Sequence, residues 1–250
     1  MNKQLLLLAA IAVALGACKK DEEETPAPGQ PSATTGTFKI DFGFHWGTGD
    51  FDLANTYTDG NGHAVKFTTV KFYLSHPELM NGGTEVAHFH NSYLIFDAAT
   101  PHGSQTVGTM SPGSVTQLRF TIGLDSLTNH ADPLTAAYPL NIPGMHWSWN
   151  PAAGYKFLNL EGRVDDDGDG VVNDDDPTFT YHCATDNARR ESALTFAGSV
   201  AAGGTLAPHL EVRMDLLVAG VDMLGTPMAM GYEAANAQLM DNLVTALVIE

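Results

Sequence analysis

The chain has 250 residues, a formal charge of -17, 25 glycines, 13 prolines and two cysteines. The acidic balance excludes nucleic-acid binding and adsorption on anionic lipid as the working mode. The length leaves room for one domain with a sizeable core once a leader is removed.

Residues Met1 to Cys18 read as an export signal: Lys3 supplies the positive start and Leu5 to Ala14 the apolar run, which is short for a membrane span. Leu15-Gly16-Ala17-Cys18 follows and resembles a bacterial lipobox, which implies removal of residues 1–17 and lipidation of Cys18. Lys19-Lys20-Asp21-Glu22-Glu23-Glu24 is similar to the surface-export tract of Bacteroidota lipoproteins. Residues 18–36 form the acylated cysteine and a Pro, Ser, Thr and Gly-rich tether. The expected location is the outer membrane, cell-surface exposed, with the lipid anchor as the contact to the membrane.

The domain proper is expected over 37–250. Phe38, Ile40, Phe42 and Phe44 alternate with Lys39, Asp41, Gly43 and His45, which predicts a half-buried strand. Further strands are expected at Val65 to Ser75, Val86 to Asp97 with His88 and His90 on one face, Val115 to Gly123, Tyr155 to Arg163, Thr178 to Cys183 and Leu194 to Val200. His209 to Leu217 alternates most cleanly, with Leu210, Val212, Met214 and Leu216 on one face. Leu239, Leu243 and Leu247 with Met240 and Val244 fall at helical spacing. Many short strands without a βαβ rhythm predict an all-β chain, an antiparallel β-sandwich or barrel with one short C-terminal helix.

Residues 165–176 carry the most specific chemistry. Asp165, Asp167 and Asp169 alternate, Gly170 follows and Asp176 closes the loop. That is the spacing of a calcium loop, in which alternate carboxylates, the Val171 carbonyl and Asn173 through water supply oxygens. The closing aspartate makes DDDGDGVVNDDD similar to dockerin and thrombospondin-type loops, and calcium there is structural.

Ten histidines against twelve Lys+Arg is an unusual balance. No C-x2-C or H-E-x-x-H spacing is present, so any further metal site must be assembled from separate strands. His63, His76, His102 and His130 fall in turn-rich segments and read as solvated. G-x-S-x-G is absent, and His182 and Cys183 are strand neighbours pointing to opposite faces, so no enzyme is expected.

Several blocks resemble the MbnP-like family of methanobactin-associated and MopE-type copper-binding proteins: DFGFHWGTGDFDL, VKFTTVKFYLS, SYLIFDA, LRFTIGLDSLTN, GMHWSWNPAAGYKFLNLEG, FTYHC and PHLEVRMDLL. The fifth is the most specific and matches G-M-x-W-x-W-x-x-G-Y-x-F-x-x-x-E-G with two extra residues before Gly154. The resemblance implies an MbnP-like β-sandwich, copper held by histidines for trafficking or sequestration, a tryptophan oxidised to kynurenine, and a di-haem peroxidase-like partner. By position it assigns His45 and His182 as ligands. Where many members read Y-H-L-V-D this chain has Leu94, and His90, four residues earlier, is the substitute. The expected copper site is therefore His45, His90 and His182 with Trp46 beside it. The rival expectation is a calcium-stiffened surface interaction module with no copper role.

Overall fold

The computed structural model describes residues 34–147 and 150–250. The leader, Cys18, the acidic tract and most of the tether lie outside the described residues, as do Ser148 and Trp149.

Strand β1 (Gly36–Trp46) buries Phe38, Ile40, Phe42 and Phe44, as the alternation predicts. Side chains on a strand alternate between faces, so Lys39, Asp41, Gly43 and His45 look away from the core. In chain order there follow β2 (Gly49–Asp50), β3 (Tyr57–Thr58), β4 (Ala64–Asn81), β5 (Thr84–His88), β6 (Tyr93–Asp97), β7 (His102–Met110) and β8 (Gly113–Ile122). A one-turn helix α1 (Ser126–Asn129) precedes β9 (Lys156–Val164), β10 (Thr178–Ala184), β11 (Arg190–Val200), β12 (Thr205–Leu206) and β13 (His209–Arg213). The chain ends in α2 (Met214–Leu217), β14 (Met228–Gly231), α3 (Ala234–Ala246) and β15 (Leu247–Ile249).

Two sheets face each other. One has the order β12-β1-β13-β15, with β2 and β7 also pairing with β1; the other runs β11-β8-β4-β9-β10-β14, with β3, β5 and β6 on β4. Aromatic rings join the layers: Phe42 of β1 meets Phe96 of β6 edge-on at 4.9 Å between centroids, and Phe44 meets Phe72 of β4 at 6.2 Å. Each such ring, fully buried, contributes about 1.5–3 kcal/mol by leaving water. The result is the expected all-β sandwich with a C-terminal helix.

Four local expectations need correction. Pairing is not purely antiparallel, since β1 runs parallel to β12 and β13, and β10 parallel to β14. The strand expected over Val86 to Asp97 is broken by a turn in which Ser92 N–H donates to the Phe89 carbonyl, so His90 lies in the turn. The alternation over His209 to Leu217 stops at Arg213; the next four residues coil into α2, burying Met214 and Leu217 and leaving Leu216 exposed. Strand β7 has no counterpart among the expected strands, because HGSQTVGTM has no apolar alternation and lies largely open to solvent.

Helix α3 is fixed by polar contacts as well as by its buried Leu239, Met240 and Leu243. Glu233 and Asn236 form a capping box, which satisfies two orphan donors of the first turn. The buried Asn236 also donates to the Ala229 carbonyl at 3.1 Å and to Cys183 Sγ at 3.4 Å. Cys183 is thus held in the core against α3, and burial pushes its thiol up to about 12.

Candidate metal centre

Gly43 lies on β1 between its two pairing partners β7 and β13, with its neighbours in the alternation facing away from the core. In register it stands opposite His102 of β7 on one side and Glu211 of β13 on the other. Its neighbours on the same face of β1 are Asp41 and His45, and Asp41 is opposite His209. Because residue 43 has no side chain, the space above it is open, and three imidazoles turn into it. The position a Cβ would take at Gly43 is 2.8 Å from His45 Nε2, 3.1 Å from His102 Nδ1 and 3.2 Å from His209 Nε2. Ligand atoms around a tetrahedral ion with bonds of about 2.0–2.1 Å stand roughly 3.4 Å apart; the three imidazoles do not all present nitrogens within 4.8 Å of one another, so the side chains must close in to hold an ion.

Two carboxylates border it. Glu211 Oε1 is 3.6 Å from His45 Nε2, and Asp50 Oδ1 is 3.7 Å from His45 Nδ1 and 3.9 Å from His102 Nε2. The His45 and His102 rings stand edge-on at 6.1 Å. His45 Nε2 is buried and has no hydrogen-bond partner among the described residues. A buried nitrogen without a partner costs about 1–3 kcal/mol, which a ligand bond would offset. Three imidazoles with flanking carboxylates suit copper, zinc or nickel by donor chemistry.

The structure does not bring the expected trio together. His90 lies tilted against His88 at 3.5 Å between centroids. The intervening Phe89 packs on Phe38 at 5.6 Å, and Phe38 precedes His45 by seven residues on β1, about 23 Å of extended chain. His182 is on the outer face of the other sheet, because its neighbours Tyr181 and Cys183 fill the core. There its Nε2 is 2.7 Å from Glu161 Oε1 and 3.3 Å from Lys156 Nζ. Burial pulls the His182 pKa down, opposed by the Glu161 hydrogen bond, and burial also pulls Lys156 down. Trp46 follows His45 on the strand and therefore faces the other way, stacked on Tyr57 at 4.6 Å and tilted against Phe67 at 5.9 Å. Of the expected ligands only His45 lies at the cradle. The residues it meets there are His102, whose turn-rich surroundings suggest solvation, and His209 and Glu211, on the outer face of their strand.

The acidic loop joins β9 to β10. One carboxylate oxygen from each of Asp165, Asp167 and Asp169 can be chosen so that all lie within 4.8 Å of one another. Asp165 Oδ1 accepts from Gly168 N–H at 2.8 Å and Oδ2 from Gly170 N–H at 2.8 Å. These backbone bonds hold its carboxyl below the usual carboxylate range. Gly168 and Gly170 both have left-handed φ, of 78° and 80°, as a loop wound this tightly requires. Asp176, also buried, accepts from Asn173 N–H at 2.6 Å and closes the loop; Val171 is exposed and Val172 half-buried beneath.

The block GMHWSWNPAAGYKF does different work. Gly154 lies against Asn129, whose Oδ1 accepts from Tyr155 N–H at 2.8 Å and whose Nδ2 donates to Asp186 Oδ1 at 2.8 Å. Asp125 caps α1 by accepting from Thr128 N–H at 3.0 Å. The LDSLTN and GY blocks therefore latch onto each other, away from the imidazole cradle.

A search of the curated proteins returns no match. Among solved structures, MbnP from Methylosinus trichosporium is similar in fold, with a TM-score of 0.52 and 17% identity over 79% of this chain and 81% of that one. The family model described as MbnP matches residues 35–235, which is most of the chain and all but the end of the sandwich described above, so the chain belongs to the MbnP family.

Proposed function

We propose that this protein is a copper-binding member of its family and that it holds the ion at His45, His102 and His209, bordered by Glu211 and Asp50. The observation that carries the reading is the convergence of three imidazole nitrogens on the space left by Gly43. The family's association with methanobactin and copper gives copper precedence over the other ions that imidazole accepts. The role is binding, for trafficking or sequestration, and not catalysis: Cys183 is buried with its thiol pushed up to about 12, and Asn236 holds its sulfur. Copper titration of the metal-free protein tests the reading. His45→Gln, His102→Gln and His209→Gln should each weaken binding at least tenfold, about 1.4 kcal/mol. Wild-type affinity in all three would end it.

The acidic loop supports a structural calcium ion as a companion to this function. Calcium should raise the melting temperature and a chelator should lower it; at a hundredfold excess over Kd, linkage gives about 2.7 kcal/mol. The double variant Asp165→Ala, Asp169→Ala should lose that response and keep copper binding. A melting temperature indifferent to calcium in the wild type would remove the ion. Because the Asp165 pKa is lowered on folding, its contribution is present above its unfolded value and lost only as pH falls through the lower folded value.

Export and anchoring complete the reading. Its support is the Leu15-Gly16-Ala17-Cys18 sequence behind an apolar run. Cys18→Ser should shift the protein from the membrane to the soluble fraction; membrane association that survives the change would argue for another form of attachment.

A further inference from the structure

The β4–β5 hairpin carries a second group of metal-type ligands, remote from the cradle and unused by the function proposed above. Glu78 of β4 and His88 of β5 are directly opposite in the antiparallel register. Glu85 precedes His88 by three residues, so in a regular strand it would face the other way. The register shifts between Leu79 and Met80, where Leu79 pairs with Ala87 and Met80 with Glu85, leaving Val86 as an extra residue. A bulge of this kind re-aims a side chain, and here it turns Glu85 onto the face of His88.

We propose that Glu78, Glu85 and His88 bind a zinc-class divalent cation. Glu78 Oε1 is 3.4 Å from His88 Nε2, and Glu85 Oε2 is 3.6 Å from His88 Nδ1. Ligands at about 2.0–2.1 Å around a tetrahedral zinc stand roughly 3.4 Å apart. The carboxylates flank different nitrogens of one ring, so a single ion takes one nitrogen. One donor atom from each of the three residues can be chosen so that all lie within 4.8 Å of one another. Glu85, half exposed, is the arm free to swing inward. His88 Nε2 is buried and makes no hydrogen bond among the described residues, with the Glu78 carboxylate beside it.

The surroundings favour a fixed site. His90 covers one side of the His88 ring at 3.5 Å, and Phe89 pins the turn between them onto Phe38. Arg119 of β8 is opposite Glu78 in register, but its Nε donates to Gln117 Oε1 at 2.8 Å. Two carboxylates neutralise a divalent charge. They disfavour the soft monovalent copper ion, while one imidazole among so few oxygens disfavours calcium, which takes six to eight oxygen ligands. Zinc accepts this mixed nitrogen and oxygen set. An ion here would clip β5 to β4 along the stretch of β4 that pairs with β8 on its other edge.

The test is zinc titration of the metal-free full-length protein by calorimetry and native mass spectrometry, with calcium in excess to occupy the acidic loop. The His45→Gln, His209→Gln variant removes the cradle and should still bind one zinc. Adding Glu78→Gln and Glu85→Gln to it should weaken that zinc at least tenfold. If the fuller variant does not fold, Glu85→Gln alone, at an exposed position, should show the same weakening. Zinc should also slow amide hydrogen exchange across residues 78–88. Failure of the cradle variant to bind zinc, or unchanged zinc binding after the glutamate substitutions, overturns the site. Copper binding by the wild type, measured separately, reports on the cradle and is independent of either result.

Discussion

Gly43→Ala should abolish tight copper binding while leaving the metal-free protein as stable as the wild type or slightly more so. The new Cβ would stand 2.8 Å from His45 Nε2, closer than non-bonded atoms allow, and in tight contact with His102 Nδ1 at 3.1 Å and His209 Nε2 at 3.2 Å. His45 Nε2 and His209 Nε2 are the far ends of side chains that can turn outward, and the His102 ring is half exposed and free to shift, so the fold gives way cheaply and the cradle does not survive. Gly43 does not have a left-handed φ. Alanine there meets no backbone strain and removes unfolded-state freedom worth about 0.4–1 kcal/mol. The expected pattern is an affinity loss of at least tenfold with a melting temperature that is unchanged or raised. A Gly43→Ala protein that binds copper like the wild type would show that the histidines do not act together. The histidine substitutions cannot make this distinction alone, because each changes one ligand and leaves the other two nitrogens in place.

The same residue shows why the site is only half legible in the sequence. His45 and Gly43 are visible as the outward half of an alternating strand, and the structure keeps both on that face. The partners come from strands whose placement depends on pairing. Parallel pairing of β1 with β13 brings Glu211 and His209 to Gly43, and nothing in the local sequence of either strand specifies a parallel neighbour. His102 opens β7, whose polar, glycine-containing sequence lies exposed against β1 and so carries no apolar period. The bulge that turns Glu85 toward His88 is likewise invisible until the register is known, although alternation alone sets His88 and His90 on one face. The reverse holds at His182. Position in the family pattern points to it, but alternation from the core residues Tyr181 and Cys183 puts it on the outer face of the opposite sheet. The core is the most legible part, because alternation of Phe and Ile over β1 is a direct consequence of burying one face. The acidic loop is legible for a different reason, since its donors and acceptors are all within twelve residues of one another.

Gly154→Ala is the same chemical change and should do the opposite: leave copper binding intact and destabilise the fold. Gly154 has φ 73° and ψ -139°, a region that residues with a Cβ enter only at a cost of about 1–3 kcal/mol. A Cβ there would also come within 2.3 Å of Asn129 Oδ1 and 2.5 Å of the Asn129 carbonyl oxygen. Asn129 is fully buried and cannot step aside without releasing Tyr155 N–H and Asp186 from their hydrogen bonds. Strain and broken latch together should cost about 2–4 kcal/mol, a fall of roughly 5–15 °C in melting temperature for a domain of this size. Asn129→Ala, which opens space for the new methyl group but leaves the Tyr155 N–H unpaired, should not rescue it. The Asn129–Gly154 latch and the cradle over Gly43 share no residue, so the copper titration of folded Gly154→Ala protein should overlay that of the wild type. A melting temperature within about 2 °C of wild type would mean that the most specific block of the family pattern is not holding the loop to α1 in the way its hydrogen bonds indicate.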